Sequence, residues 1–200
     1  MEYFKSVLIS KLKLDESVVN KWCNKIEKKY NERPYHNLQM LAVKMNVIKE
    51  DFSEDDSLSN SLIIASIFQY FHYDVKESKN EENCEEFQRF VEETNIENNE
   101  LVDRILQMLR DDSESEVISI SIFKDLDLVV LGLPTEEYNK YTKGLKEEFS
   151  SNDESYKRDR LKMLKTLLTI PYIYSTPKIR DRFESTARQN IKMEIDNLEA

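Results

Sequence analysis

Glycine is nearly absent, with two in 200 residues, and proline occurs only four times. A chain of tight hairpins needs such residues at turn after turn, which excludes an all-β sandwich or barrel. Histidine and cysteine are as scarce, two of each. Cys23 and Cys84 lack Cys-x-x-Cys spacing and read as two reduced thiols of a cytosolic protein. No apolar run reaches the roughly 18 residues of a membrane span. The opening MEYFKSVLISKLKLDES has an apolar core of about four residues, shorter than that of a secretory signal. The expected location is therefore the cytoplasm, with no membrane partner. The phosphate-cradling P-loop, GxGxxG, the HExxH zinc helix and the GxSxG elbow are all missing. A net charge of −10 argues against promiscuous nucleic-acid binding, and DNA is not an expected partner.

What is present is helical periodicity in a chain of one-domain length. Leu14, Val18, Val19, Trp22, Cys23, Ile26 and Tyr30 recur at steps of three and four. Leu38, Leu41, Val43, Met45, Val47 and Ile48 mark a second helix over 37–49. Residues 58–73 are apolar almost all round, as expected of a buried central helix. Further helices are expected over 80–94 and 97–110, after Pro134, and up to Pro171, since the residue before proline avoids the α region. Thr176-Pro177 reads as an N-cap and first-turn proline of a last helix reaching about Leu198. VISISIF (117–123) alternates like a strand but has no obvious strand partner, so it reads as a helix start or an extended connection. The expected architecture is one all-α domain over 1–200.

The charge is unevenly spread. Residues 50–116 hold 20 acidic side chains against 5 basic ones, whereas 157–192 hold 10 basic against 3 acidic. Lys157, Arg158, Arg160, Arg180, Arg182 and Arg188 are therefore the candidate face for RNA phosphates or an acidic protein, arginine's planar fork suiting a phosphate. The plainer alternative is helix surface facing acidic helices elsewhere in the fold.

RPYHNLQML (33–41), Tyr73-Asp74, Asn80-Glu81-Glu82, FKDLDLVVLG (123–132), YNKYTKGLKEEF (138–149) and IYSTPKIRDRFESTARQNI (173–191) follow one another along the chain. In this order they resemble the sequence blocks of a family of small HD-superfamily proteins, predicted metal-dependent phosphohydrolases, over residues 14 to 198. The resemblance implies a single HD-like helical bundle. It also implies where the metal ligands of such a protein would fall. With Tyr73-Asp74 in register, the His-Asp pair that names the superfamily lands on Gln69 and Tyr70, and a second histidine of the first block lands on Met40. His72 comes three residues late, which on a helix turns it by about 300° from position 69. The remnant pocket is then His36, Gln69, Tyr70, Asp125 and Asp127. A neutral amide and a phenol do not replace an imidazole and a carboxylate on a dication, so no metal and no cofactor is expected.

Two functions follow as expectations. One is a catalytically degenerate, regulatory binding protein. The Asn- and Lys-rich, shortened style is similar to that of microsporidian proteins. By that general likeness the chain resembles ribosome dormancy (hibernation) factors, which sit on the idle ribosome and block tRNA binding, so rRNA and ribosomal proteins are the implied partners. The other is a phosphohydrolase of a nucleotide or phosphoester with atypical ligands. Each singled-out residue also has a structural alternative. His36 would be a hydrogen-bonded core or helix-entry residue, Asp125 and Asp127 would cap a helix or pair with Arg33, and His72 would sit at a helix end near the surface. Tyr138 and Tyr141 would pack in the core.

Overall fold

The computed structural model describes residues 1–110, 117–149 and 153–200, and among them all regular structure is helical. The chain divides into two compact units, Met1–Phe123 and Lys124–Ala200.

The first unit opens with a short helix α1 (Glu2–Ser6) that runs into a π-helical turn, Val7–Lys11, burying Phe4, Val7 and Leu8. The sequence reading did not anticipate this segment. Helices α2 (Glu16–Asn31), α3 (Leu38–Asp51), α4 (Asp56–Phe68), α5 (Asn80–Thr94) and α6 (Asn99–Arg110) follow. Their starts are written locally. The Asp15 carboxylate accepts from Ser17 N and Val18 N, Asn37 Oδ1 from Gln39 N and Met40 N, and Asp55 from Leu58 N. The scarcity of glycine shows at the ends: the left-handed positions are filled by Lys13 and by Asn95, which closes α5.

α4 is the buried centre, with every residue from Ser59 to Phe68 inside. It is shorter than the apolar run: Gln69 is its C-cap, and residues 69–73 form a turn rather than more helix. Around its end Trp22 of α2, Phe68, Phe71 of the turn, and Phe87 and Phe90 of α5 pack as an aromatic cluster, with Trp22 edge-on to Phe90 at 5.3 Å. Each such ring buries about 150–250 Å². The Trp22 indole N–H reaches Glu93 at 3.0 Å, so burying it leaves no orphan donor.

VISISIF starts a helix. α7 (Ile118–Leu128) crosses from the first unit into the second and ends in a 3₁₀ turn, Val129–Gly132. The second unit continues with α8 (Thr135–Phe149), α9 (Asp153–Thr169) and α10 (Pro177–Glu199). The 3₁₀ turn packs so closely on α10 that a Cβ on Gly132 would stand 2.6 Å from Phe183 Cβ. Asn190 of α10 donates to Leu131 O and Leu133 O at 2.9 and 2.8 Å, completing the bonding of that turn.

Candidate functional site

In the first unit the remnant residues meet at the turn after α4. Arg33 donates to the carbonyl oxygens of Tyr70 and Phe71, the latter at 3.0 Å. Asn83 of α5 donates to Gln69 O at 2.7 Å and His72 O at 3.2 Å, while its own oxygen accepts from His72 N at 2.7 Å. The backbone of 69–72 is thereby fixed from two sides. The His36 ring lies 4.1 Å from that of Tyr70, 4.2 Å from Tyr73 and 4.7 Å from Tyr35, and only 8 % of the residue is exposed. It is a packed helix-entry residue, immediately before the Asn37 cap.

The decisive neighbour is Lys44 of α3. Its ammonium donates to Gln69 Oε1 at 2.9 Å and stands 5.0 Å from the Tyr70 ring centre, with 2 % of the residue exposed. A metal ion on Gln69 Oε1, at about 2 Å, would lie within roughly 5 Å of that ammonium. At an effective dielectric near 20 the repulsion is on the order of 4 kcal/mol per unit of metal charge at about 4 Å. Met40, buried one turn before Lys44, offers only a thioether. Within the first unit, among the described residues, no three His, Cys, Asp or Glu side chains converge as a metal site. Of the first-unit donors, Gln69 and Tyr70 are neutral, and the Lys44 ammonium stands beside both.

His72 lies beyond the helix end, part exposed, with Nε2 3.3 Å from Glu86 Oε2. Glu86 is buried and also meets Lys25 and, at 3.0 Å, Arg89. Burial pushes the Glu86 carboxyl up, but hydrogen bonds from Lys25 and His72 and the charge of Lys25 outweigh it and hold it below the usual range.

Asp125 and Asp127 belong to the second unit. Asp125 is 2 % exposed, and its carboxylate accepts from Ser175 N at 3.0 Å and Thr176 N at 2.6 Å. This corrects the capping expectation: the Thr176 side chain makes no cap bond, its hydroxyl oxygen has no partner, and a carboxylate from α7 serves the start of α10 instead. Asp127 is half-buried, one residue before the end of α7. Of the tyrosine pair, Tyr138 is buried and Tyr141 half-buried.

The six basic candidates fill different roles. Arg160, with 9 % of its side chain exposed, is paired with both Glu194 oxygens at 2.9 Å and with Tyr138 Oη at 3.3 Å. Burial pushes the Tyr138 hydroxyl above the usual phenol range, so it stays protonated and donates to Glu194. Arg180 and Arg188 donate to main-chain carbonyls of residues 168–175. Arg158 is exposed beside Asp159, Arg182 is exposed with its guanidinium 4.8 Å from the Phe183 ring, and Lys157 is half-buried.

Sequence reasoning missed Lys44, Asn83, Glu86 and Glu184. Only Lys44 left a signal, as a lone cation between Leu41 and Met45 on a helix face that is otherwise apolar. No family model, curated protein or solved structure matches the chain.

Proposed function

We propose that the chain is a non-catalytic binding protein in which an HD-like arrangement has exchanged its metal for a lysine. The observation that carries this reading is the Lys44–Gln69 contact: a buried ammonium already supplies positive charge where a hydrolytic dication would need to bind. Around it, Arg33 and Asn83 hold the turn rigid, which suits a scaffold whose use lies at its surface.

The partner proposed is the ribosome, in the manner of a dormancy factor that blocks tRNA binding. The excess of basic residues over 157–192 supports it, since such a segment within an acidic chain favours a shaped phosphate surface over any free RNA. Of the six, Arg158 and Arg182 are exposed and Lys157 is half-buried, and these three are proposed to meet the phosphates, whereas Arg160, Arg180 and Arg188 are built into the hydrogen bonding of their own unit. The test is co-sedimentation of the full chain with ribosomes at rising salt, beside a Lys157→Glu/Arg158→Glu/Arg182→Glu variant. Retention at low salt that fades as salt rises, and is weaker in the variant, is expected. No retention at low salt removes the ribosome from the account.

A further inference from the structure

The segment from Ile170 to Thr176 joins α9 to α10 without regular structure, yet charged side chains fix it almost residue by residue. Glu184 accepts from Ile173 N at 3.1 and 3.0 Å and from Tyr174 N at 3.3 Å. Asp125 takes the next two N–H groups, those of Ser175 and Thr176. On the carbonyl side Arg188 donates to Ile170 O at 2.9 Å and Pro171 O at 3.0 Å, and Arg180 to Tyr174 O at 2.9 Å and Ser175 O at 2.8 Å. Arg188 and Glu184 are themselves joined at 2.7 Å. The Tyr174 hydroxyl anchors the middle of the segment on Leu128 O at 2.9 Å.

This loop carries apolar groups outward. Ile170 is 37 % exposed and Tyr172 57 % exposed, with Pro171 exposed between them. On α9, Met163 and Leu167 precede Ile170 at steps of four and three, so they continue the same face, and Met163 is 40 % exposed. A shallow open depression lies along that face, lined by Asp159, Lys162, Met163, Thr166 and Leu167. Two cations border the patch: Lys162 lines the depression and Arg180 stacks 3.9 Å over the Tyr172 ring, while Arg188, which holds the Ile170 and Pro171 carbonyls, is paired with Glu184. The one acid in the depression, Asp159, is already paired with Arg158.

The geometry points to a docking site for an acidic amphipathic segment of a partner protein, seated on Met163, Leu167, Ile170 and Tyr172. A loop fixed before binding loses little conformational freedom on binding, so its apolar anchors convert more of their buried area into affinity. An aromatic anchor flanked by aliphatic side chains and a cationic rim matches apolar residues bordered by carboxylates. RNA is disfavoured here because the groups next to Tyr172 are aliphatic and one face of its ring is already covered by Arg180. The inference stands apart from the ribosome reading, which uses Lys157, Arg158 and Arg182.

The test starts with the full chain carrying photo-reactive p-benzoylphenylalanine in place of Met163, irradiated in native lysate, and the cross-linked peptide sequenced. That peptide, synthesised with a fluorescent label, is titrated by anisotropy against wild type, Ile170→Ser/Tyr172→Ser and Lys162→Glu, with circular dichroism confirming each fold. All three substituted positions are exposed, so neither variant disturbs the core. The expected result is an acidic peptide with spaced apolar residues, bound at least tenfold more weakly by both variants. Cross-links to RNA, to a basic peptide or to a second copy overturn the inference, as do no cross-link at all or equal affinity in wild type and variants.

Discussion

Replacing Asp125 by alanine separates a structural carboxylate from a ligand in waiting. The side chain holds two main-chain N–H groups at the start of α10, at 3.0 and 2.6 Å. Hydrogen bonds to a charged group contribute about 1.5–3 kcal/mol each. Ser175 is exposed, and water replaces what its N–H loses, whereas Thr176 is 5 % exposed and its N–H is left bare. A carboxylate at a helix N-terminus adds about 0.3–1 kcal/mol. The expected loss for Asp125→Ala is about 3 kcal/mol. Asp125→Asn should lose less, since one amide oxygen still accepts while the amide N–H₂ opposes the second donor. Urea unfolding of the full chain reads the stability, and hydrogen exchange over 173–177 reads the local effect. The reasoning is refuted if Asp125→Ala stays within about 0.5 kcal/mol of wild type, the range of an unremarkable surface change, with exchange at Thr176 unaltered.

Arg160→Met should cost about 3–5 kcal/mol by leaving Glu194 buried without its partner, and adding Glu194→Met should recover much of that loss; a denaturant-based double-mutant cycle measures both. Because the folded Glu86 carboxyl is held below the ordinary value, its contribution is present above pH of about 4.3 and is lost as pH falls through the folded value. Thermal melts from neutral to acid pH should therefore show a shallower acid loss in Glu86→Gln than in wild type. His36→Ala should cost about 1–3 kcal/mol on chemical denaturation, because the ring packed among Tyr35, Tyr70 and Tyr73 is removed.

The helices were legible because their signals are local. Apolar spacing placed α2 to α6, Asn37 and Asp15 sit where caps belong, and Pro134, Pro171 and Pro177 mark boundaries that the structure keeps. The end of α4 was not legible. The apolar run continues through Phe71, while hydrogen bonds from the distant Arg33 and Asn83 to residues 69–72 hold the chain in a turn there. Thr176 misled for a related reason. Its type and position suit an N-cap, but its side chain makes no cap bond, and its N–H is bonded to Asp125, 51 residues earlier. The roles of Arg160, Arg180 and Arg188 were hidden in the same way, since a count of charges does not reveal which guanidinium groups meet carbonyls or a buried glutamate.

The metal content of the full chain tests the central claim most directly. Protein prepared in medium supplemented with manganese, iron and zinc, then gel-filtered, is analysed for elements beside His36→Ala and Lys44→Met. With Lys44 on Gln69, wild type should hold far less than one transition-metal ion per chain, and His36→Ala should not change that value. About one tightly bound ion per chain, released by His36→Ala, would contradict the account.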